Sequence, residues 1–168
     1  MDVSIEPISE KYADSFHACL DSVAREKKFL AQTEAPPLER VRGFVKDSVK
    51  NDVPQFIAVD GRVVVGWCDI FPDWPETKKH CGSLGMGVLK DYRRHGIGAR
   101  LLLATMAKAK KKGITRITLK VRADNAGAIR LYEDTGFVTE ARLKNAMKFD
   151  GVFHDEFQMS YVEDEPQR

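Results

Sequence analysis

The segment Val88-Leu89-Lys90-Asp91-Tyr92-Arg93-Arg94-His95-Gly96-Ile97-Gly98 joins a short apolar run to an apolar-striped helical segment through a loop that contains two glycines. The first turn of a helix leaves backbone N–H groups without partners, and the dipole at that end favours negative charge. Glycine lets such a backbone approach a ligand closely, so the loop suits a phosphate or pyrophosphate, with Arg93 and Arg94 adding positive charge beside it. Taken alone, a Gly-x-Gly before a helix is more often a tight turn. Two other phosphate chemistries fail. A Walker-type loop requires Lys-Ser/Thr after its last glycine, and none follows Gly98. A dinucleotide fingerprint requires a third glycine and an acidic residue about 20 positions on. Arg100 and Leu101 stand where that glycine belongs, and the next apolar run offers Lys120 and Arg122 instead of an acid.

A second segment, Asn125 to Phe137, can offer a different set of groups. On a helix Asn125, Ile129 and Tyr132 fall at i, i+4 and i+7, on one face, presenting an amide, a methyl surface and a phenol. The plainer account makes Asn125 a helix cap and Tyr132 a core residue. Together the two segments resemble the GNAT superfamily of N-acetyltransferases. The family's loop pattern, Arg/Gln-x-x-Gly-x-Gly/Ala, is matched by Arg93, Gly96 and Gly98. Its later pattern, Asn-x-x-Ala-x-x-Leu-Tyr-x-x-x-Gly-Phe, is matched by Asn125, Ala128, Leu131, Tyr132, Gly136 and Phe137.

That resemblance implies an enzyme that takes an acetyl group from acetyl-CoA, with no metal. It implies that Arg93, Arg94, His95, Gly96, Ile97, Gly98 and Ala99 form the cofactor loop, the amides from Arg94 to Ala99 holding the pyrophosphate. The Val88 backbone would pair with the pantetheine arm, Asn125 would contact the cofactor, and Tyr132 would lie near its sulfur. The reaction implied is direct attack of a neutral amine on the thioester, with Tyr132 donating a proton to the departing thiolate.

The sequence departs from the family at one point. Many relatives place a Glu or Asp on the strand before the loop to deprotonate the amine, and here that strand reads Ser83-Leu84-Gly85-Met86-Gly87-Val88. Deprotonation would then run through water to Asp69, Asp73, Glu76 or His80, or the enzyme would select amine already neutral. In the latter case the rate should climb towards about pH 8–9 as a free α-amine of pKa ~8 titrates. Phe29, Glu34, Asp73 and Trp74 are candidate acceptor contacts, with Leu30, Phe149 and Phe153 as further lining. The segment Asn145 to Met159 is similar to the branch that acetylates amino acids and other small metabolites. Peptide N-termini are the alternative acceptor, and a non-catalytic acyl-CoA-binding module the alternative outside enzymes.

The elements that must position these groups follow from periodicity and turn residues. Val3–Glu6 reads as a strand. Tyr12–Ala24 and Leu38–Val49 read as helices, striped by Phe16, Leu20 and Val23 and by Val41, Phe44, Val45 and Val49. Gln55–Val59 and Arg62–Ile70 form a hairpin about Asp60-Gly61, Phe71–His80 a loop, and Ser83–Leu89 a strand. A helix from near Gly98 to Lys112 buries Leu102, Met106 and Ala109. Ile114–Val121, the helix Asn125–Thr135, and strands Phe137–Lys148 and Val152–Val162 complete the order β-α-α-β-β-β-α-β-α-β-β. The fold class is α/β: a mixed central sheet of about seven strands flanked by about four helices. One domain over residues 1–168 is expected, with a flexible tail from about 163.

Composition narrows the partners. Lys+Arg is 27 against Asp+Glu 25, so no global field drives the chain onto nucleic acid or membrane. Three scattered cysteines form neither a disulfide framework nor a zinc site. The residues from Met1 to Pro7 carry acids and no apolar run, so a cytoplasmic location is expected. Acetyl-CoA and a small amine are the expected partners, and a homodimer is compatible with such a domain.

Overall fold

A computed structural model describes residues 1–164 of the chain. Its strands are β1 (Val3–Pro7), β2 (Gln55–Asp60), β3 (Val63–Pro72), β4 (Cys81–Val88), β5 (Arg116–Arg122), β6 (Val138–Phe149) and β7 (Val152–Val162). The α-helices are α1 (Ala13–Arg25), α2 (Leu38–Lys50), α3 (Ile97–Lys111) and α4 (Ala126–Asp134). The strands form one seven-stranded sheet in the order β1-β2-β3-β4-β5-β7-β6. Two hairpins are pinned by residues that tolerate positive φ, Gly61 between β2 and β3 and Asp150-Gly151 between β6 and β7. The expected tail lies mostly outside the described residues, while the Glu163 amide, within them, donates to the Thr115 carbonyl at 2.8 Å.

Each face of the sheet has its own core. On one, α3 and α4 bury Leu101, Leu102, Ala109 and Tyr132 against Cys68, Ile70, Ile117, Leu119 and Val121. On the other, α1 and α2 bury Phe16, Cys19, Val23, Val41 and Val45 against Ile57, Val59 and Trp67. The period of 3.6 places the stripe of α2 slightly differently from the sequence expectation: Ser48 is buried, and Phe44 and Val49 are exposed. Ser48 turns inward because its hydroxyl donates to the buried Gln55 side chain at 2.6 Å. In α3 Leu101 and Thr105 join Leu102 and Ala109 in the core, and Met106 is only half-buried.

The parallel pair β4–β5 is the feature that shapes the site. It is hydrogen-bonded only from Cys81–Ser83 to Arg116–Thr118. Beyond that, β4 stays with β3 as far as Val88 opposite Gly66, and β5 stays with β7 as far as Arg122 opposite Glu156. The two strands therefore part, and from Leu84 to Val88 the β5-facing backbone of β4 has no strand partner among the described residues. Unpaired backbone within a sheet is costly unless water or a ligand satisfies it.

Candidate active site

The loop after β4 runs straight into α3, whose first backbone bond is from the Arg100 amide to the Gly96 carbonyl at 3.1 Å. Among the described residues, no hydrogen-bond partner is found for the amides of Arg94 through Ala99. They form an arc of donors at a helix N-terminus, an arrangement that binds anions. Gly96 has φ +76°, and a Cβ built there would meet nothing within 4 Å, so it faces open space over the arc. Arg94 also has positive φ, at 63°. The arc, the open cradle at Gly96 and the unpaired edge of β4 fit a long ligand that carries a pyrophosphate and an extended amide-bearing arm.

The residues of this loop divide by what their side chains do. Ile97 is buried in the core, so only its amide is available to a ligand. Arg94 and His95 are exposed at the rim. Gly98 is packed closely, its position for a Cβ being 3.3 Å from Leu131 Cδ2. Arg93 is committed to the protein: Nε donates to the Val88 carbonyl, and Nη1 donates to Glu26 Oε2 at 2.9 Å. A second bond from Nη2 to Glu26 Oε1 completes a bidentate pair, and the guanidinium lies 4.5 Å from the Phe29 ring centroid. The Val88 carbonyl is thereby occupied. Glu26 was not legible as part of the site, because nothing in its local sequence marks a partner 67 residues away.

Tyr132 on α4 is 7% exposed and packs on Phe137. Among the described residues its hydroxyl has no hydrogen-bond partner, yet it is not one of the enclosed partnerless atoms, which are Gln55 Nε2 and Ser160 Oγ. Its oxygen thus meets solvent at the edge of the core. Burial pushes its pKa well above the ordinary phenol value, with the neighbouring Cys68 adding to the effect. Asn125 caps α4, its Oδ1 accepting from the Ala128 amide at 3.3 Å. The plain and functional accounts of Asn125 coexist, since the cap uses the oxygen and not the NH2.

The four candidate acceptor contacts do not converge. Phe29 lies on Arg93, by the Val88 end of β4. Glu34 is exposed and reaches Arg25 at 3.5 Å. Asp73 lies near the other end of β4, accepting from Ser83 Oγ at 2.9 Å. At about 3.3 Å per residue, the five steps from Ser83 to Val88 separate these groups by roughly 16 Å. Trp74 is 88% exposed and covers nothing. Of the other relay candidates, Glu76 pairs with Lys79, and His80 Nε2 lies 3.5 Å from Cys81 Sγ. Asp69 is the exception, half-buried in β3 opposite Gly85.

Across the cleft, β5 alternates. Ile117, Leu119 and Val121 enter the core beside α3, so Thr118, Lys120 and Arg122 face the α1 side. Arg122 is held by Asp124 and donates to the Lys27 carbonyl. Lys120 is exposed, and among the described residues no acid pairs with it. Lys120 lies two residues beyond Thr118 on β5 and Gly85 two beyond Ser83 on β4, where the two strands have parted. No group of three His, Cys, Asp or Glu side chains that could hold a metal occurs among the described residues.

Comparison with known proteins agrees with this geometry. The sequence profile of the acetyltransferase (GNAT) family matches residues 16–137. The chain is 47% identical over 47 residues to the ribosomal protein bS18-alanine N-acetyltransferase of Escherichia coli, covering 28% of this chain and 32% of that protein. It is 30% identical over 89 residues to the mycothiol acetyltransferase of Geodermatophilus obscurus, covering 51% of this chain and 29% of that one. The chain thus spans about a third of the length of these curated relatives. A Salmonella typhimurium protein solved with its cofactor acetyl-CoA superposes with a TM-score of 0.90 at 16% identity, covering 100% of this chain and 98% of that one.

Proposed function

This chain belongs to the acetyltransferase (GNAT) family, and we propose that it moves an acetyl group from acetyl-CoA to the primary amine of a small metabolite, an amino acid or close analogue. The observation that carries the reading is the continuity of three features. Among the described residues, the unpartnered amides of Arg94–Ala99 lead back to the β4 edge that has parted from β5, and the position of a Cβ at Gly98 lies 3.6 Å from Met86 of β4 and 3.3 Å from Leu131, the residue before Tyr132 on α4.

Acetyl-CoA, when bound, supplies an electrophilic thioester carbonyl and a thiolate leaving group. The amides of Arg94–Ala99 hold its pyrophosphate, and Leu84–Val88 offers backbone partners to its arm. Arg93 holds the loop in shape through Glu26 and leaves the charge at the rim to Arg94 and His95. Tyr132 keeps its proton in the resting state, because burial disfavours the phenolate. A phenol of pKa ~10 is a weaker acid than a thiol of ~8.5, so Tyr132 donates only as negative charge builds on the sulfur.

Lys120 supports the amino-acid reading. An α-amino acid presents a carboxylate beside its amine, and Lys120 is an exposed cation on β5 with no acid paired to it among the described residues. A peptide N-terminus has a neutral amide at that place. The match to the bS18-alanine enzyme favours this second acceptor class, and the two separate cleanly. Thiol release from acetyl-CoA is measured with free amino acids, their amides and alanine-ended peptides. Turnover of amino acids exceeding that of their amides, with Lys120→Met erasing the difference, supports the reading. Preference for the peptides assigns the second class, and thiol release with no amine in the panel rejects transfer.

A further inference from the structure

On the face of the sheet covered by α1 and α2, β4 carries glycine at two successive inward positions, and side chains from β3 occupy the space. In the antiparallel register Trp67 stands opposite Gly87 and Asp69 opposite Gly85, so each pair shares that face. A Cβ at Gly87 would lie 2.4 Å from Trp67 Cη2, deep inside its ring's envelope. A Cβ at Gly85 would lie 3.2 Å from Asp69 Oδ1. The carboxylate of Asp69 therefore sits where a side chain of residue 85 would begin, on the strand from which the sequence lacks an acid.

We propose that Asp69 is the catalytic base of this enzyme, reaching across β4 through the gap at Gly85 to take the proton from the substrate's ammonium group. The inference rests on the acetyl-transfer reading and supplies the proton acceptor that reading lacks. It places the base on β3, one strand away from the position where the sequence shows none.

The surroundings of Asp69 suit that task. Its own strand flanks it with Trp67 and Phe71, of which Phe71 packs on Phe44 of α2. From β2, Gln55 stands directly opposite, fully buried, with Oε1 accepting from Ser48 of α2. Gln55 Nε2 has no partner among the described residues, so an uncommitted donor lies on the closed side of Asp69. The titratable group from α1 in this core is Cys19, whose thiol burial pushes up to about 12. Cys68 faces the opposite core, Asp73 is bound by Ser83 beyond the end of β3, and Lys120 lies across the cleft. No cation pairs with Asp69 among the described residues. Burial pushes its carboxyl up to about 7, partly offset by a hydrogen bond from the Gly85 backbone. A base with its pKa near the working pH combines a sizeable ionised fraction with real proton affinity.

The step balances simply. An N–H bond of R–NH3+ breaks and an O–H bond forms on Asp69, giving neutral R–NH2 and a carboxylic acid. The nitrogen lone pair then forms the C–N bond to the acetyl carbon as the C–S bond breaks. Tyr132 gives its O–H proton to the sulfur and is restored by the second proton leaving the nitrogen, and one proton per turnover leaves from Asp69 to water.

The plain alternative is a carboxyl kept protonated as a structural hydrogen-bond donor. The two accounts differ in the pH profile of kcat/KM, measured on the full chain with its best amino-acid substrate. With Asp69 as base, the parent should rise with pH through a break near 7 and flatten by about pH 8. Asp69→Asn should lose that break, fall about 10²-fold or more at pH 7, and climb tenfold per pH unit with the free amine instead. Gly85→Ala, which crowds the carboxylate without removing it, should lower kcat while acetyl-CoA still raises the melting temperature as in the parent. An unchanged break in Asp69→Asn, or a parent profile that climbs without a break to pH 9, overturns the assignment. If the parent binds acetyl-CoA but acetylates no amine, the acetyl-transfer reading falls, and the base with it. A turning-over parent with an indifferent Asp69→Asn removes Asp69 alone.

Discussion

Arg93 and Glu26 are joined by two parallel hydrogen bonds, Nη1 to Oε2 at 2.9 Å and Nη2 to Oε1, with both side chains about a quarter exposed. The same guanidinium caps the Val88 carbonyl through Nε. One residue thus ties the end of β4, the loop of free amides and the end of α1 together. On the other lip of the cleft, Arg122 at the end of β5 donates to the carbonyl of Lys27, the residue after Glu26. The short segment after α1 therefore bridges both diverging strands and fixes the width of the gap.

That bridge predicts a coupled loss. Removing either partner leaves a half-buried charge with poorer company, so Glu26→Ala and Arg93→Ala should each cost roughly 1–3 kcal/mol in urea unfolding. Because they share one contact, the double variant should fall short of the sum by about 0.5–3 kcal/mol. Strict additivity would show that the pair is incidental. Acetyl-CoA affinity should fall in Arg93→Ala through disorder of the loop, not through loss of a charge on the pyrophosphate, so Arg93→Lys should rescue it poorly.

Gly96 and Gly98 should respond differently to substitution. At Gly96 the backbone is left-handed, so Gly96→Ala carries about 1–2 kcal/mol of backbone strain and also puts a methyl group into the cradle. Gly96→Val should abolish acetyl-CoA binding by calorimetry, for both reasons. Gly98→Ala meets the tips of two flexible side chains, Leu131 at 3.3 Å and Met86 at 3.6 Å, and should bind several-fold more weakly at most. Parent protein at 100 Kd of acetyl-CoA should gain about 2.7 kcal/mol of stability, and Gly96→Val nothing.

Tyr132→Phe should separate chemistry from packing. The hydroxyl has no internal partner among the described residues, so its removal should change unfolding stability by less than about 1 kcal/mol. If it donates the proton to sulfur, kcat should drop about 10²–10⁴-fold with acetyl-CoA affinity unchanged. A fall of less than about threefold would leave Tyr132 a core residue.

Most of the fold, and the loop and helix proposed for the cofactor, were legible because their signals are local. Gly96, Gly98 and the helix that follows them are contiguous, and so are Asn125, Tyr132 and the turn at Gly136. The strand and helix order follows from periodicity, with errors confined to ends and to the tilt of the α2 stripe. The proposed acceptor half was not legible, because its residues meet only across strands. Asp69 gains its meaning from a missing side chain at Gly85 on the neighbouring strand, and Arg93 from Glu26 far away in sequence. Phe29 and Asp73 looked alike as loop residues near a pocket, yet the length of β4 keeps them apart. Composition and spacing cannot encode such pairings without the register.

Asp69 also makes a prediction about stability that needs no substrate. A carboxyl whose pKa is near 7 in the folded chain and ~3.9 unfolded is protonated longer in the native state as pH rises. Between about pH 4 and 7 the native state binds more protons than the unfolded one, so this group makes stability fall with rising pH, the penalty being complete above pH 7. Three pKa units would correspond to about 4 kcal/mol, and partial access to water reduces the expected effect to roughly 1–3 kcal/mol. Other acids slope the opposite way: the Arg116 guanidinium pulls Glu140 down to about 2, Arg122 lowers Asp124, and the Asn145 amide together with Arg142 lowers Asp155. Those contributions are common to parent and variant and cancel in their difference. Asp69→Asn should therefore be more stable than the parent at pH 8, with the gap closing towards pH 4.5, measured by urea unfolding at each pH. Such a variant would be sturdier and slower, the signature of a carboxylate held in a costly place for its chemistry. A stability difference that is flat from pH 4.5 to 8 would show that Asp69 does not titrate in this range, and would remove the physical basis for its role as the base.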